Sequence, residues 1–190
     1  MAIPTEELQK VNPSAKIELF EIHLVAALHG SNDVSRFHNG INMNTTYNVI
    51  FQGNTYQRIP IEANGFEYSI ERKTLPRPTV RISNLLSTVT ALMTQANLTT
   101  PKNDLNGAKF KRITTLLKFI DNENFASGTN PFGTPANTTY ENQTFFINRK
   151  TIESKAFVEF ELAMSLDLQN RNAPKRIITR KDFPSVGTFA

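Results

Sequence analysis

The stretch TFFINRKTIESKAFVEFELAMSLDL, residues 144–168, decides how the rest of the chain is read. Phe157, Glu159 and Glu161 point one way, and Val158, Phe160 and Leu162 point the other. Alternation with a period of two marks a strand with one buried face. TFFINRKTIES runs out, the chain turns near Glu153-Ser154-Lys155, and AFVEFELAMSL returns. Two such runs around a short polar turn predict a β-hairpin. Glu159 and Glu161 then belong to an exposed sheet face. An acidic pair at this spacing fits almost any mechanism, so it supports none.

Further strands flank the hairpin. AKIELFEIHLVAAL, 15–28, predicts one long strand. Ile17 and Leu19 fall on one face and Phe20, Ile22 and Leu24 on the other, with Glu18 among the latter. That pattern suits a strand covered on both faces for part of its length. VSRFHNG, 34–40, reads as a strand running into a turn. NVIFQGNTYQRI, 48–59, holds Gly53-Asn54 between two β-like runs, a hairpin signal. PIEANGFEYSIE, 60–71, turns or bulges at Asn64-Gly65. In KTLPRPTVRISN, 73–84, Pro76 and Pro78 each remove a backbone donor and fix φ. The segment therefore starts extended and becomes a strand at Thr79–Ser83, with Arg81 on one face and Val80 and Ile82 on the other. AKFKRITTLLKFI, 108–120, carries Phe110 and Ile113 in a mixed phase and predicts another strand.

Helix signals are few. IPTEELQKV, 3–11, predicts a short helix with acids in its first turn. SNLLSTVTALMTQANL, 83–98, predicts a longer one, capped by Ser83 or Asn84. Its apolar stripe is Leu85, Val89, Leu92, Met93 and Ala96, a core face rather than a ligand box. Residues 122–143 are rich in Gly, Pro, Asn and Thr and read as an exposed loop insertion. There is no fixed repeat, and strands do not alternate regularly with helices, which argues against a doubly wound fold. The expected class is mainly β (α+β), an antiparallel barrel or sandwich with one longer and one short helix, in a single domain spanning 1–190.

The 190 residues include no cysteine, which excludes disulfides, thiolate metal sites and a cysteine nucleophile. The start is acidic and polar, unlike a signal peptide. No apolar run reaches the length of a membrane-spanning helix. The expectation is a soluble protein made in the cytoplasm. The net charge is +4 and the pI about 9.4. The clearest local excess is Arg171, Lys175, Arg176, Arg180 and Lys181. Either this is a solvated tail, or it faces an acidic partner or nucleic acid. Aromatic residues do not interleave with these cations as on a single-strand binding groove.

His23, His29 and His38 lack the spacing of a helical metal site, and no His-Glu-x-x-His occurs. There is no glycine-rich phosphate loop and no Gly-x-Ser-x-Gly. Asn-x-Thr triplets at Asn44, Asn97, Asn137 and Asn142 are expected by chance in a chain rich in both residues. The expectation is no enzyme, no metal and no cofactor.

Several segments, in collinear order, resemble the minor tail protein L family of long, non-contractile phage tails. They are RFHNGIN at 36–42, FQGNTYQRIPIEANGFEYS at 51–69, TLPRPTVRISN at 74–84, NGAKFKRITTLLKFIDNENFASGTNP at 106–131 and, most closely, INRKTIESKAFVEFELAMSLDLQNRNAPKR at 147–176. The resemblance covers most of residues 6–180. It implies β-rich barrel or sandwich domains related to tail-tube and hub proteins. It also implies a homo-oligomeric, trimeric ring at the tail tip, between the distal tail ring protein and the central hub protein. DNA, with the tape-measure protein, passes through such a channel only in transit, and no membrane is involved. The lambda-like members continue into a cysteine-bearing region that binds an iron–sulfur cluster. Without cysteine this chain cannot carry that cluster, and it resembles a short form.

Within that reading Arg77, Arg81, Arg149, Lys150, Arg176, Arg180 and Lys181 are the expected assembly-interface residues. The competing expectations are a basic nucleic-acid-binding module, supported by pI alone, and a tail-associated glycan hydrolase using Glu159 or Glu161.

Overall fold

A computed structural model describes residues 5–40, 47–67, 76–85, 87–139 and 141–165, together with Lys181 and Pro184. Its strands are β1 (Lys16–His23), β2 (Val34–His38), β3 (Val49–Phe51), β4 (Asn54–Arg58), β5 (Ile61–Asn64), β6 (Thr79–Ser83), β7 (Lys109–Leu116), β8 (Glu141–Glu153) and β9 (Phe157–Ala163). Its α-helices are α1 (Thr5–Leu8), α2 (Ala26–His29) and α3 (Thr88–Thr99). The strands form one sheet in the order β3-β4-β2-β1-β7-β8-β9-β6-β5. All neighbours are antiparallel except β2 and β4, which run parallel over Phe37↔Gln57 and His38↔Arg58.

The β8–β9 hairpin is the one that alternation predicts, turning between Glu153 and Phe157. Val158, Phe160 and Leu162 are fully buried with Phe145 and Ile147 from β8 and Val80 and Ile82 from β6. The same core takes in Phe20 and Ile22 of β1, Phe37 of β2 and Phe110 of β7. One core can reach strands so far apart in the order only if the sheet curls. The chain itself enforces this. Strands β4 and β5 lie toward opposite ends of the order, yet only Ile59 and Pro60 separate them in sequence. The result is a curled, sandwich-like α+β fold, not a closed barrel.

Strand β1 is buried on both sides, as its mixed phase predicts. Phe20 and Ile22 face the main core, while Leu19 faces a second cluster with Val49, Phe51, Tyr56, Ile113, Ile120 and Phe125. Leu19 and Ile113 are register partners, so the β3–β4 hairpin lies over the far face of β1 and β7. That hairpin turns at Gln52 and Gly53, both with positive φ (54° and 69°). Glycine relieves the second of these at no steric cost.

The first strand does not run on to Leu28. It stops at His23, and α2 follows. The cause is local capping. The Asn32 side chain accepts from the Ala26 amide, His29 Nδ1 accepts from the Val25 amide, and Gly30 closes the turn with φ 78°.

Helix α3 begins later than its apolar stripe suggests. Ser87 adopts φ 55°, and Leu85 is left 76% exposed outside the helix. Val89, Met93 and Ala96 do face the core, with Leu92 partly buried. Asn84 still serves the helix start. Its Oδ1 accepts from the Thr90 amide and its Nδ2 donates to Thr90 Oγ1. Segment 125–139 forms no strand, but it is anchored. Asn130 donates to the carbonyls of Leu117 and Ile120 and is buried beneath them.

Candidate functional site

Strands alternate faces, so the residues opposite Val80, Ile82, Val158 and Phe160 form a second, outward face of β6, β9 and β8. Cross-strand register decides which charges meet there. Arg81 lies opposite Glu159, and Glu161 lies between Thr79 and Arg149. Arg81 donates from Nε (3.2 Å) and Nη2 (2.9 Å) to Glu159 Oε2. Arg149 donates from Nε and Nη2 to Glu161 Oε2. Arg77 Nη1 approaches Glu161 Oε1 at 3.4 Å, and Asn148 donates to the same oxygen. Thr151 Oγ1 donates to Glu159 Oε1, and Glu62 of β5 lies 3.6 Å from Arg81 Nη1.

This face is layered. Glu161 and Glu159 are 12% and 17% exposed, whereas Arg149 and Arg81 are 66% and 46% exposed. Carboxylates thus lie beneath and hold the guanidiniums outward. The Arg81 guanidinium also stacks over the Phe157 ring, 4.6 Å from its centroid. Burial pushes the Glu161 carboxyl up, but hydrogen bonds from Arg149 and Asn148, with the charges of Arg149 and Arg77, hold it below the usual range. Arg77, Arg81 and Arg149 against Glu62, Glu159 and Glu161 cancel in formal charge. The face is therefore dense in paired charges with no formal excess among these six residues.

The expected interface residues do not all lie here. Arg77, Arg81 and Arg149 converge on it. Lys150 sits opposite Phe160, on the other side of β8, and pairs with Asp104 (2.8 Å) and Glu153 (2.6 Å). Burial pulls its ammonium pKa down, yet Asp104 and Glu153 outweigh that and raise it. Lys181 is exposed. Arg176 and Arg180 lie outside the described residues.

Two buried acids were not singled out in the sequence, and both tie distant segments together. Glu7 accepts from Lys10 Nζ (2.5 Å), Lys118 Nζ (2.6 Å) and the Ser14 amide (3.1 Å), and these partners lower its pKa to about 2. Glu21 accepts from Tyr56 (2.7 Å) and is hydrogen-bonded to His23 (2.8 Å), with Lys111 at 3.8 Å. Burial raises the Glu21 pKa, but those partners bring it below the usual range. For Glu21 the signal present in sequence was its place between Phe20 and Ile22; Glu7, which follows Glu6, carried no such signal.

His29 is buried between the Val25 amide and the Asn106 carbonyl, and His38 between strands with Nε2 on the Tyr47 carbonyl. Among the described residues no group of three or more His, Asp or Glu side chains converges as metal ligands do.

A family model described as phage minor tail protein L matches residues 27–185. The matched span starts inside α2 and takes in every strand from β2 to β9, including the whole arginine–glutamate face.

Proposed function

We propose a tail-tip role for this chain, which belongs to the phage minor tail protein L family and is thereby a structural protein of the virion tail, assembled with other tail proteins. In this reading the chain, made in the host cytoplasm, forms a trimeric ring that joins the distal tail ring protein to the central hub protein. The ring leaves a channel for DNA and the tape-measure protein. The whole of 1–190 acts as one tail-tip β domain with 122–143 as its loop insertion, and its work is mechanical, not catalytic.

The family match over 27–185 is the observation that carries this reading. The outward face of β6, β8 and β9 supports it, because braced arginines in a neutral array suit a fixed protein joint. DNA in transit is better served by a lumen with little net attraction for phosphate. In this proposal the C-terminal cations Arg176, Arg180 and Lys181 accordingly face neighbouring subunits more than the lumen. Replacing all three with glutamine tests this: tail yield should fall. Normal tail yield with altered DNA ejection would overturn it.

A further inference from the structure

The two ends of the sheet are treated differently. At the β3 end, Asn124 Oδ1 accepts from the Ile50 amide (2.7 Å) and Asn124 Nδ2 donates to the Ile50 carbonyl (2.6 Å). The Asp121 carboxylate takes the amides of Gln52 and Gly53. A loop thus occupies the outer groups of β3 and closes that edge to pairing. At the β5 end, the Ser83 amide donates to the Pro60 carbonyl (2.8 Å), which makes residues 60 and 83 a hydrogen-bonded pair. Such pairs alternate along an antiparallel ladder. Glu62 and Asn64 therefore bond to β6, and the backbone groups of Ile61 and Ala63 turn outward. Asn39 Oδ1 accepts from the Ile61 amide at 3.3 Å, which agrees with that direction. Among the described residues no strand lies beyond β5.

We propose that the β5 edge receives an extended segment of a partner tail protein, added as a tenth strand and bonded to the Ala63 amide and carbonyl. The partner's chemistry follows from what flanks the edge. Glu62 is 60% exposed on the outer side, and its contact with Arg81 is a long one, 3.6 Å from Nη1, because Arg81 Nε and Nη2 are committed to Glu159. The incoming strand carries a cation opposite Glu62. On the inner side Ile61 is buried and Ala63 partly buried against the core, so the residue opposite Ala63 is small or apolar. A shallow hollow of 300 Å³ between Asn39, Pro60, Arg81, Ala156 and Phe157 lies beside the start of the strand and accommodates a further side chain. Backbone bonds supply the affinity and alternate side chains the selectivity. The proposal rests on the tail role only for the partner's source.

The test is amide exchange at Ala63 in the full-length chain, with and without a synthetic peptide KVKAKVK, in which lysines alternate with small or apolar residues. Binding should slow exchange of the Ala63 amide by roughly fivefold to tenfold, the effect of one added hydrogen bond. A control peptide with its cations replaced by glutamine should bind more weakly. Ala63→Pro removes the outward amide, so its binding is read instead by the fluorescence anisotropy of dye-labelled peptide, which should show binding to the wild type and loss of it in this variant; Glu62→Lys, which leaves the backbone untouched, should weaken binding by both readouts. Unchanged Ala63 exchange at saturating peptide, or protection of that amide before peptide is added, overturns the proposal. Normal incorporation of the Ala63→Pro chain into tails also overturns it. Absence of the wild-type chain from tails instead overturns the tail role, whatever the peptide does.

Discussion

Arg149 directs both Nε and Nη2, at 3.0 and 2.7 Å, onto a single oxygen of Glu161 in the adjacent strand. The other carboxylate oxygen holds Arg77 and Asn148. One shielded acid therefore positions two guanidiniums. Arg149→Ala should cost little, about 0.5–1 kcal/mol, because the arginine is largely solvated. Glu161→Gln removes the shielded carboxylate charge shared by Arg77, Arg149 and Asn148 and should cost more, about 1–3 kcal/mol. Urea denaturation at neutral pH separates the two. The folded-state pKa of Glu161 is depressed, so its stabilisation is present above the unfolded pKa and is lost as pH falls through the folded one. Glu161→Gln should flatten that acid limb.

Glu7 gives the sharper pH test. Its carboxyl falls from the model-peptide value of 4.5 to about 2 through Lys10, Lys118 and the Ser14 amide. Its contribution should be complete above pH 4.5 and disappear as pH falls toward 2. Denaturation midpoints measured across that window should decline in the wild type and decline less in Glu7→Gln.

The core of the β8–β9 hairpin should be unforgiving. Phe160 is 1% exposed and packs among side chains from β6, β8 and β9. Phe160→Ala should cost about 3–5 kcal/mol through lost burial and the cavity left behind. Thermal unfolding reads the loss directly.

Asn124 protects an edge as well as stabilising a loop. Asn124→Ala leaves the Ile50 amide and carbonyl without those side-chain partners and should cost about 1–3 kcal/mol. It also uncovers a strand edge. Light scattering on a concentrated, still-folded sample should show association that the wild type does not.

The return strand of the hairpin was legible because Phe157 to Leu162 alternate without interruption, and the same parity put Arg81 on the face opposite Val80 and Ile82 in β6. The partners of Arg77 and Arg81 were not legible. Glu159 and Glu161 lie far along the chain, and only cross-strand register brings them opposite. Lys150 was grouped with Arg149, but neighbours on a strand face opposite ways, and a register shift between Ile147 and Arg149 sets which faces out. Leu85 continued the helical stripe in sequence, yet the left-handed backbone at Ser87 starts the helix after it. A barrel or sandwich was the expected class, but the strand order that curls the sheet was not legible, for a similar reason. It depends on β4 and β5 bonding to strands at opposite ends, and no local pattern records that.

The central claim is a chain that works as a ring component joined to its neighbours. Sedimentation of the purified protein, alone and mixed with the adjacent distal tail ring protein, tests it most directly. The account predicts a discrete oligomer, formed alone or on mixing, that is weakened by the triple glutamine replacement of Arg176, Arg180 and Lys181. A strict monomer in both samples would contradict it.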